Sequence, residues 1–168
     1  MVTVSLCMIV RDEEAVLGRC LDSVRNLVDE IVVVDTGSVD RTKEIAKRYT
    51  DKVYDFLWED DFAKARNASF AEAKMEYCMW MDADDVMEAE EGKRFLQWKE
   101  QADGTADVIM MKYASGMDEQ GKVTFCYYRE RLLKRAGGFR WKGRVHEAVE
   151  VRGKIQYLEI RVDHRSVK

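Results

Sequence analysis

Residues 76–87 read EYCMWMDADDVM, an apolar run that ends on three carboxylates within four positions. Continuous apolarity over a short stretch, without polar alternation, is the pattern of a strand buried on both faces, as strands of a parallel sheet are. Asp82, Asp84 and Asp85 then stand where that strand leaves the core. Most acidic runs are solvated loops. In an open parallel α/β sheet, however, the loops at the carboxyl ends of the strands form the ligand crevice.

Working back toward the N-terminus, the same pattern recurs. VTVSLCMIV (2–10) reads as a buried strand, and Leu17, Cys20, Leu21, Val24, Leu27 and Val28 follow at helical spacing. EIVVVD (30–35) is a second strand ending at Asp35, and TGSVDRTKEIAKRY supplies a glycine turn, Ser38 or Asp40 as helix cap, and a helix. KVYDFLW (52–58) is a third strand, with Asp60 or Asp61 capping the helix in FAKARNASFAEAK. Strands alternating with helices predict a parallel sheet with right-handed crossovers. Beyond Asp85 one helix, about Ala89 to Gln101, precedes ADVIMMKYAS, KVTFCYYRERLLKR and KIQYLEIRVDH, which read as strands of a mixed or antiparallel region.

A chain of 168 residues with 46% hydrophobic content buries one substantial core, so residues 1–168 are read as a single domain. Within it, 1–87 form a nucleotide-binding half and 88–168 an acceptor or lid half. The formal charge of -4, from 28 basic and 32 acidic residues, argues against a nucleic-acid binder. Cys7, Cys20, Cys78 and Cys126 form no CxxC pair and read as buried free thiols of a reducing compartment. With no secretory leader and no apolar run long enough to span a bilayer, the expected location is cytoplasmic.

Several residues have chemistry suited to the crevice. Two carboxylates one residue apart at a rigid strand end offer oxygens to Mg²⁺ or Mn²⁺, with a diphosphate completing the shell. Asp35 is an acceptor suited to a uracil imide N–H or a ribose hydroxyl, or it simply braces a capping loop. Arg66 meets nucleotide or phosphate, or else pairs with Asp60 or Asp61. Arg129, Arg131, Lys134, Arg135, Arg140, Lys142 and Arg144 stand against one acid, Glu130. That stretch reads as a solvated hairpin or, opposite a metal-loaded loop, as a charge-neutralising lid running from Arg129 to Glu147 with Gly137, Gly138 and Gly143 as hinges.

Taken together, SLCMIVRDEEAVLGRCLDSV, DEIVVVDTGSVDRTKEIA, LWEDDFAKARN, WMDADD and FRWKGRVHEAV resemble the GT-A catalytic domain of the inverting family 2 glycosyltransferases, notably a bacterial branch whose domains often stand beside helical repeats. The resemblance covers nearly the whole chain. It implies a Rossmann-like mixed sheet with helices on both faces. It also implies metal-dependent transfer, with inversion, from a nucleoside-diphosphate sugar, UDP-linked, to an acceptor that is a glycan, lipid or peptide. Arg11, Glu13 and Asp35 would contact base and ribose, Arg66 the nucleotide, and Asp82 the ribose. Asp84 would bind Mn²⁺ or Mg²⁺ with His146 as a further ligand, and Glu147 would be the general base.

Two departures stand out. Asp12 occupies a position where Asn is frequent, adding charge beside the nucleotide. The chain ends VDHRSVK where many relatives run on past a His into further helices. The expectation from the resemblance is an acceptor region that is either truncated or lies elsewhere, in a further domain or a homo-oligomer. Two competing functions are weaker. A nucleotidyltransferase needs a Gly-rich loop after the first strand, and IVRDEE has no glycine. A non-catalytic nucleotide-sugar-binding domain would keep the crevice and lose turnover.

Overall fold

The computed structural model describes residues 1–166. In chain order its elements are β1 (Val4–Val10), α1 (Leu17–Val24), β2 (Glu30–Asp35), α2 (Thr42–Ala46), β3 (Val53–Asp55), α3 (Phe62–Ala71), β4 (Tyr77–Trp80), β5 (Asp85–Val86), α4 (Ala89–Gln101), β6 (Val108–Met117), β7 (Val123–Lys134), β8 (Trp141–Lys142), β9 (Ala148–Val149) and β10 (Ile155–His164). Eight strands form one sheet in the order β3-β2-β1-β4-β7-β6-β10-β5, and β8 and β9 form a separate hairpin. The first four positions are parallel, and β7 then runs antiparallel to both β4 and β6.

The chain lays β1, β2 and β3 outward in one direction and then returns to place β4 on the other side of β1. That reversal is the switch point at which open α/β sheets bind ligands. Continuous apolar runs make it possible: Val4, Leu6, Met8 and Val10 join Met79 and Met81 under α1 and α4, while Cys7, Cys78 and Trp80 face α3 and the β8–β9 hairpin. Both faces are covered, as the strand composition requires. Leu17, Cys20, Leu21 and Val24 form the buried stripe of α1, and Phe95 and Trp98 that of α4.

One expected cap is met and the other is not. Asp61, not Asp60, caps α3 by accepting the Lys64 amide at 3.1 Å. The N-cap position of α2 is Arg41, with no side-chain capping bond, in place of Ser38 or Asp40; Asp40 accepts the Thr42 amide at 2.9 Å just before the helix, and the Ser38 hydroxyl accepts the Asp12 amide. Three cysteines are buried, but Cys126 is exposed, because it lies on the outer half of β7 beyond its pairing with β4.

The basic stretch departs most from expectation. Arg129 to Lys134 are not lid residues; they belong to β7, which pairs with β4 and β6 in the interior of the sheet. Arg131 is fully buried. Only the segment beyond β7 leaves the sheet, and most of that is the β8–β9 hairpin, hydrogen-bonded to α3.

Candidate active site

A cavity of about 720 Å³ opens at the switch point. It is lined by the end of β1 at Ile9 and Val10 and by Thr36 and Asp82, which follow within two residues of the ends of β2 and β4. Arg11, Glu13, Arg66, Asp84, His146 and Glu147 also line it, so the structure brings together every expected site residue except Asp35. Thr36, the neighbour of Asp35, lines the cavity instead. Asp35 is buried at the end of β2, where Oδ1 accepts the amides of Gly37 and Ser38 at 2.9 and 2.8 Å. Its Oδ2 is buried without a hydrogen-bond partner among the described residues.

Asp12 is also turned away from the cavity. Its φ is 51°, a left-handed conformation that Asp and Asn tolerate. Its Oδ1 accepts the Val39 amide at 2.8 Å, tying the loop after β1 to the loop after β2.

The acidic loop is organised by its last member. Asp85 is fully buried; one oxygen accepts the Asp82 amide at 2.8 Å and the other accepts from the Tyr113 hydroxyl at 2.7 Å. Because Asp85 pairs with His164 across β5 and β10, the histidine ring is delivered to the loop. His164 Nδ1 lies 3.3 Å from Asp85 Oδ1 and 3.4 Å from Asp84 Oδ1. The Arg165 amide donates to the Asp84 carbonyl at 2.8 Å, closing the same junction.

Ligand atoms of Asp84, Asp85 and His164 lie within 4.8 Å of one another. His146 is not in that group, although it lines the same cavity, so the histidine that reaches Asp84 is His164. His146 is carried past by a hairpin turn in which its own φ is 57°. Sequence reading missed His164 because its partners come from β5, a two-residue strand with no periodicity to betray it. Asp84 and His164 line the cavity and are the members of this group that face a ligand, whereas Asp85 is fully buried behind them. A carboxylate and an imidazole fit a divalent cation such as Mn²⁺.

Electrostatics agree with a cation or a positively charged group at this point. Burial, reinforced by Asp85 and Asp82, holds the Asp84 carboxyl above its ordinary range despite His164. Burial and the same loop, through Asp84 and Asp82, also raise Glu13. The hydrogen bond to Asp85 and the surrounding carboxylates raise His164 against the opposing effect of burial.

Arg66 pairs with neither Asp60 nor Asp61; Asp60 accepts the Trp58 indole N–H and Asp61 is the cap. Projecting from the second turn of α3, Arg66 donates Nη2 to Asp82 and Nε to Glu147, each at 2.8 Å. Burial pushes the Asp82 carboxyl up, but the charge and hydrogen bond of Arg66 outweigh it and hold the group below the usual carboxylate range. The guanidinium lies 5.0 Å from the Trp80 ring centre and 5.1 Å from that of Trp141. One arginine thus links the first acid of the loop to Glu147 across the cavity wall.

The chain matches the Glycosyl transferase family 2 model over residues 5–151. It is 36% identical over 150 residues to a TPR repeat-containing protein of Synechococcus elongatus, covering 89% of this chain and 36% of that protein. It is 29% identical over 127 residues to the putative glycosyltransferase EpsH of Bacillus subtilis, covering 71% of this chain and 36% of EpsH. The chain therefore spans about a third of the length of these relatives. Among solved structures, S. aureus TarS superposes with a TM-score of 0.69 at 16% identity, over 98% of this chain and 37% of TarS. Glucosyl-3-phosphoglycerate synthase from Mycobacterium tuberculosis, solved with Mn²⁺ and UDP-glucose, superposes with a TM-score of 0.54 at 20% identity, over 67% of this chain and 44% of that one. The mixed sheet is that of GT-A glycosyltransferases. With its crevice at the switch point and the family match extending from β1 to just past β9, this chain belongs to glycosyltransferase family 2.

Proposed function

We propose that the cavity binds a UDP-linked sugar together with Mn²⁺ or Mg²⁺ and that the chain transfers the sugar to an acceptor with inversion. One observation carries this reading: Asp84 with His164, and Glu147 held by Arg66, face a single cavity at the switch point of the sheet. Asp84 and His164 would hold the metal, which when bound supplies counter-charge for a diphosphate leaving group. UDP and UDP-N-acetylglucosamine complexes of TarS, and the Mn²⁺ and UDP-glucose complex of the mycobacterial synthase, support a uridine donor.

The remaining steps belong to the chain's own residues. The uracil and ribose lie toward Arg11, Glu13 and the end of β2, with Asp82 beside the ribose. Arg11 and Arg129 add positive charge to the cavity wall, where it balances phosphate. Glu147 accepts the proton of the attacking acceptor hydroxyl as that oxygen bonds to the anomeric carbon and the bond to the diphosphate breaks. A single displacement of this kind inverts the configuration. Arg66 fixes the direction of the Glu147 carboxylate through its Nε donor.

The test is calorimetric titration of UDP with and without Mn²⁺, followed by UDP release from UDP-glucose and UDP-N-acetylglucosamine. Metal-strengthened binding with UDP release supports the proposal. Binding without release would favour a non-catalytic donor-binding domain, and absence of binding would overturn the uridine reading.

A further inference from the structure

Helix α3 holds the β8–β9 hairpin at three places. At its start the Phe62 amide donates to the Arg144 carbonyl at 3.0 Å. One turn on, Arg66 Nε donates to Glu147. The next residue, Asn67, uses both ends of its carboxamide on one hairpin residue: Nδ2 donates to the Trp141 carbonyl at 3.0 Å, and the Trp141 amide donates to Oδ1 at 2.8 Å. A side chain here satisfies a backbone donor and acceptor together, as a neighbouring strand would.

Trp141 is thereby a fixed point. It is 3% exposed, and its ring meets Trp80 and Phe70 edge-on with centres 5.5 and 5.9 Å apart. From it the chain turns back through Gly143, at φ 105°, and His146 to pair Lys142 with Ala148 and Trp141 with Val149. Glu147 lies on this turn, so its place at the cavity wall follows from where Trp141 is held. Arg66 orients the carboxylate, but it also serves Asp82 and grips only the tip of the hairpin.

We propose that Asn67 is a positioning residue for Glu147: its carboxamide seats the hairpin on α3 so that the carboxylate reaches Arg66 and the cavity. This rests on the reading of Glu147 as the general base. Asn67 does not line the cavity and touches no donor, so its removal should act on turnover and spare nucleotide binding.

The experiment compares wild type with Asn67→Ala, Glu147→Gln and the double variant, using UDP with Mn²⁺ as the binding probe and UDP-glucose and UDP-N-acetylglucosamine as donors. Asn67→Ala should keep UDP affinity within about twofold while kcat for UDP release falls on the order of ten- to a hundredfold, as misplacement of a reacting group by about an ångström does. In the Glu147→Gln background the same change should cost almost nothing further, because two residues acting through one group are not additive. Hydrogen exchange should quicken in residues 141–149 and stay unchanged in β4 and β7.

Three results would overturn the proposal: wild-type turnover in Asn67→Ala, an equal fall in both backgrounds, or unchanged exchange in the hairpin. A wild type that binds UDP without releasing it from either donor would count against the transferase reading alone. Exchange still decides in that case whether Asn67 seats the hairpin.

Discussion

Arg131 and Asp85 face each other at 3.6 Å with both side chains fully buried. Arg131 Nη1 donates to the Trp80 carbonyl at 3.0 Å, while Nε and Nη2 find no hydrogen-bond acceptor among the described residues. The guanidinium instead lies 3.9 Å from the Trp80 ring centre and 4.7 Å from that of Tyr113, so aromatic faces meet the remaining N–H groups. A charge in the middle of the sheet thus balances the carboxylate on which the acidic loop is hung.

Removing one member of this pair leaves the other charge buried and alone. Arg131→Met and Asp85→Asn should therefore each destabilise the protein by about 3–5 kcal/mol, and the double variant should lose less than their sum. Urea unfolding measures both quantities. Losses below about 1 kcal/mol for the single variants would show that the pair does not support the loop.

A second ion pair makes stability depend on pH. Glu30 is buried at the start of β2, where it accepts from the Ser5 hydroxyl at 2.6 Å, the Lys74 amide at 2.8 Å and the Lys52 ammonium. Burial pushes its carboxyl up, but these three donors outweigh it and hold the group below its usual range. A folded-state pKa below the unfolded one gives stability that is present above the unfolded value, about 4.3, and lost as pH falls through the folded value. Glu30→Gln should be less stable at neutral pH by about 1–3 kcal/mol and should lose less than wild type on acidification. Parallel acid limbs in the two proteins would remove Glu30 as the cause.

The fold was legible where one local pattern decided it. The buried runs before Asp35 and Asp82 are strands, α4 spans Ala89–Gln101 as its periodicity predicts, and the alternating order gave the crevice. Partnerships between distant segments left weaker traces. Arg131 looked like one charge in a solvated run, because the carboxylate and rings that make its burial possible come from β5, β4 and β6. The closing of His164 onto Asp84 is equally non-local, and β5 is too short to show a pattern. A sparse signal existed nonetheless: one of only two histidines ends a strand of alternating character, which directs it to a sheet end.

Asp35 supports a prediction about the base. Its Oδ1 is occupied by the turn after β2, while Oδ2 is a buried acceptor without a donor among the described residues. Such an atom costs about 1–3 kcal/mol until something donates to it. If the base of the proposed donor reaches the end of β2, its uracil imide N–H would supply that donor, whereas cytosine presents an acceptor at the same ring position. UDP should therefore bind more tightly than CDP, and Asp35→Ala should narrow the difference. Equal affinities in wild type, measured by calorimetry, would remove Asp35 from base recognition.

The two histidines allow the metal site to be tested against an internal control. Both line the cavity, but only His164 is joined to Asp84, and it is braced by Asp85 and by the Tyr113 hydroxyl at 3.0 Å from Nδ1. If Asp84 and His164 are the ligands, Asp84→Asn and His164→Ala should each abolish the strengthening of UDP binding by Mn²⁺. His146→Ala should retain it. Tyr113→Phe keeps the ring and removes the hydroxyl that orients the histidine and Asp85, so metal affinity should fall about ten- to a hundredfold while the fold persists. Electron paramagnetic resonance of Mn²⁺ titrated into each variant with UDP reads the bound metal directly, independent of turnover. A loss in His146→Ala equal to that in His164→Ala would place the metal between the two rings and displace the site from the β5–β10 junction.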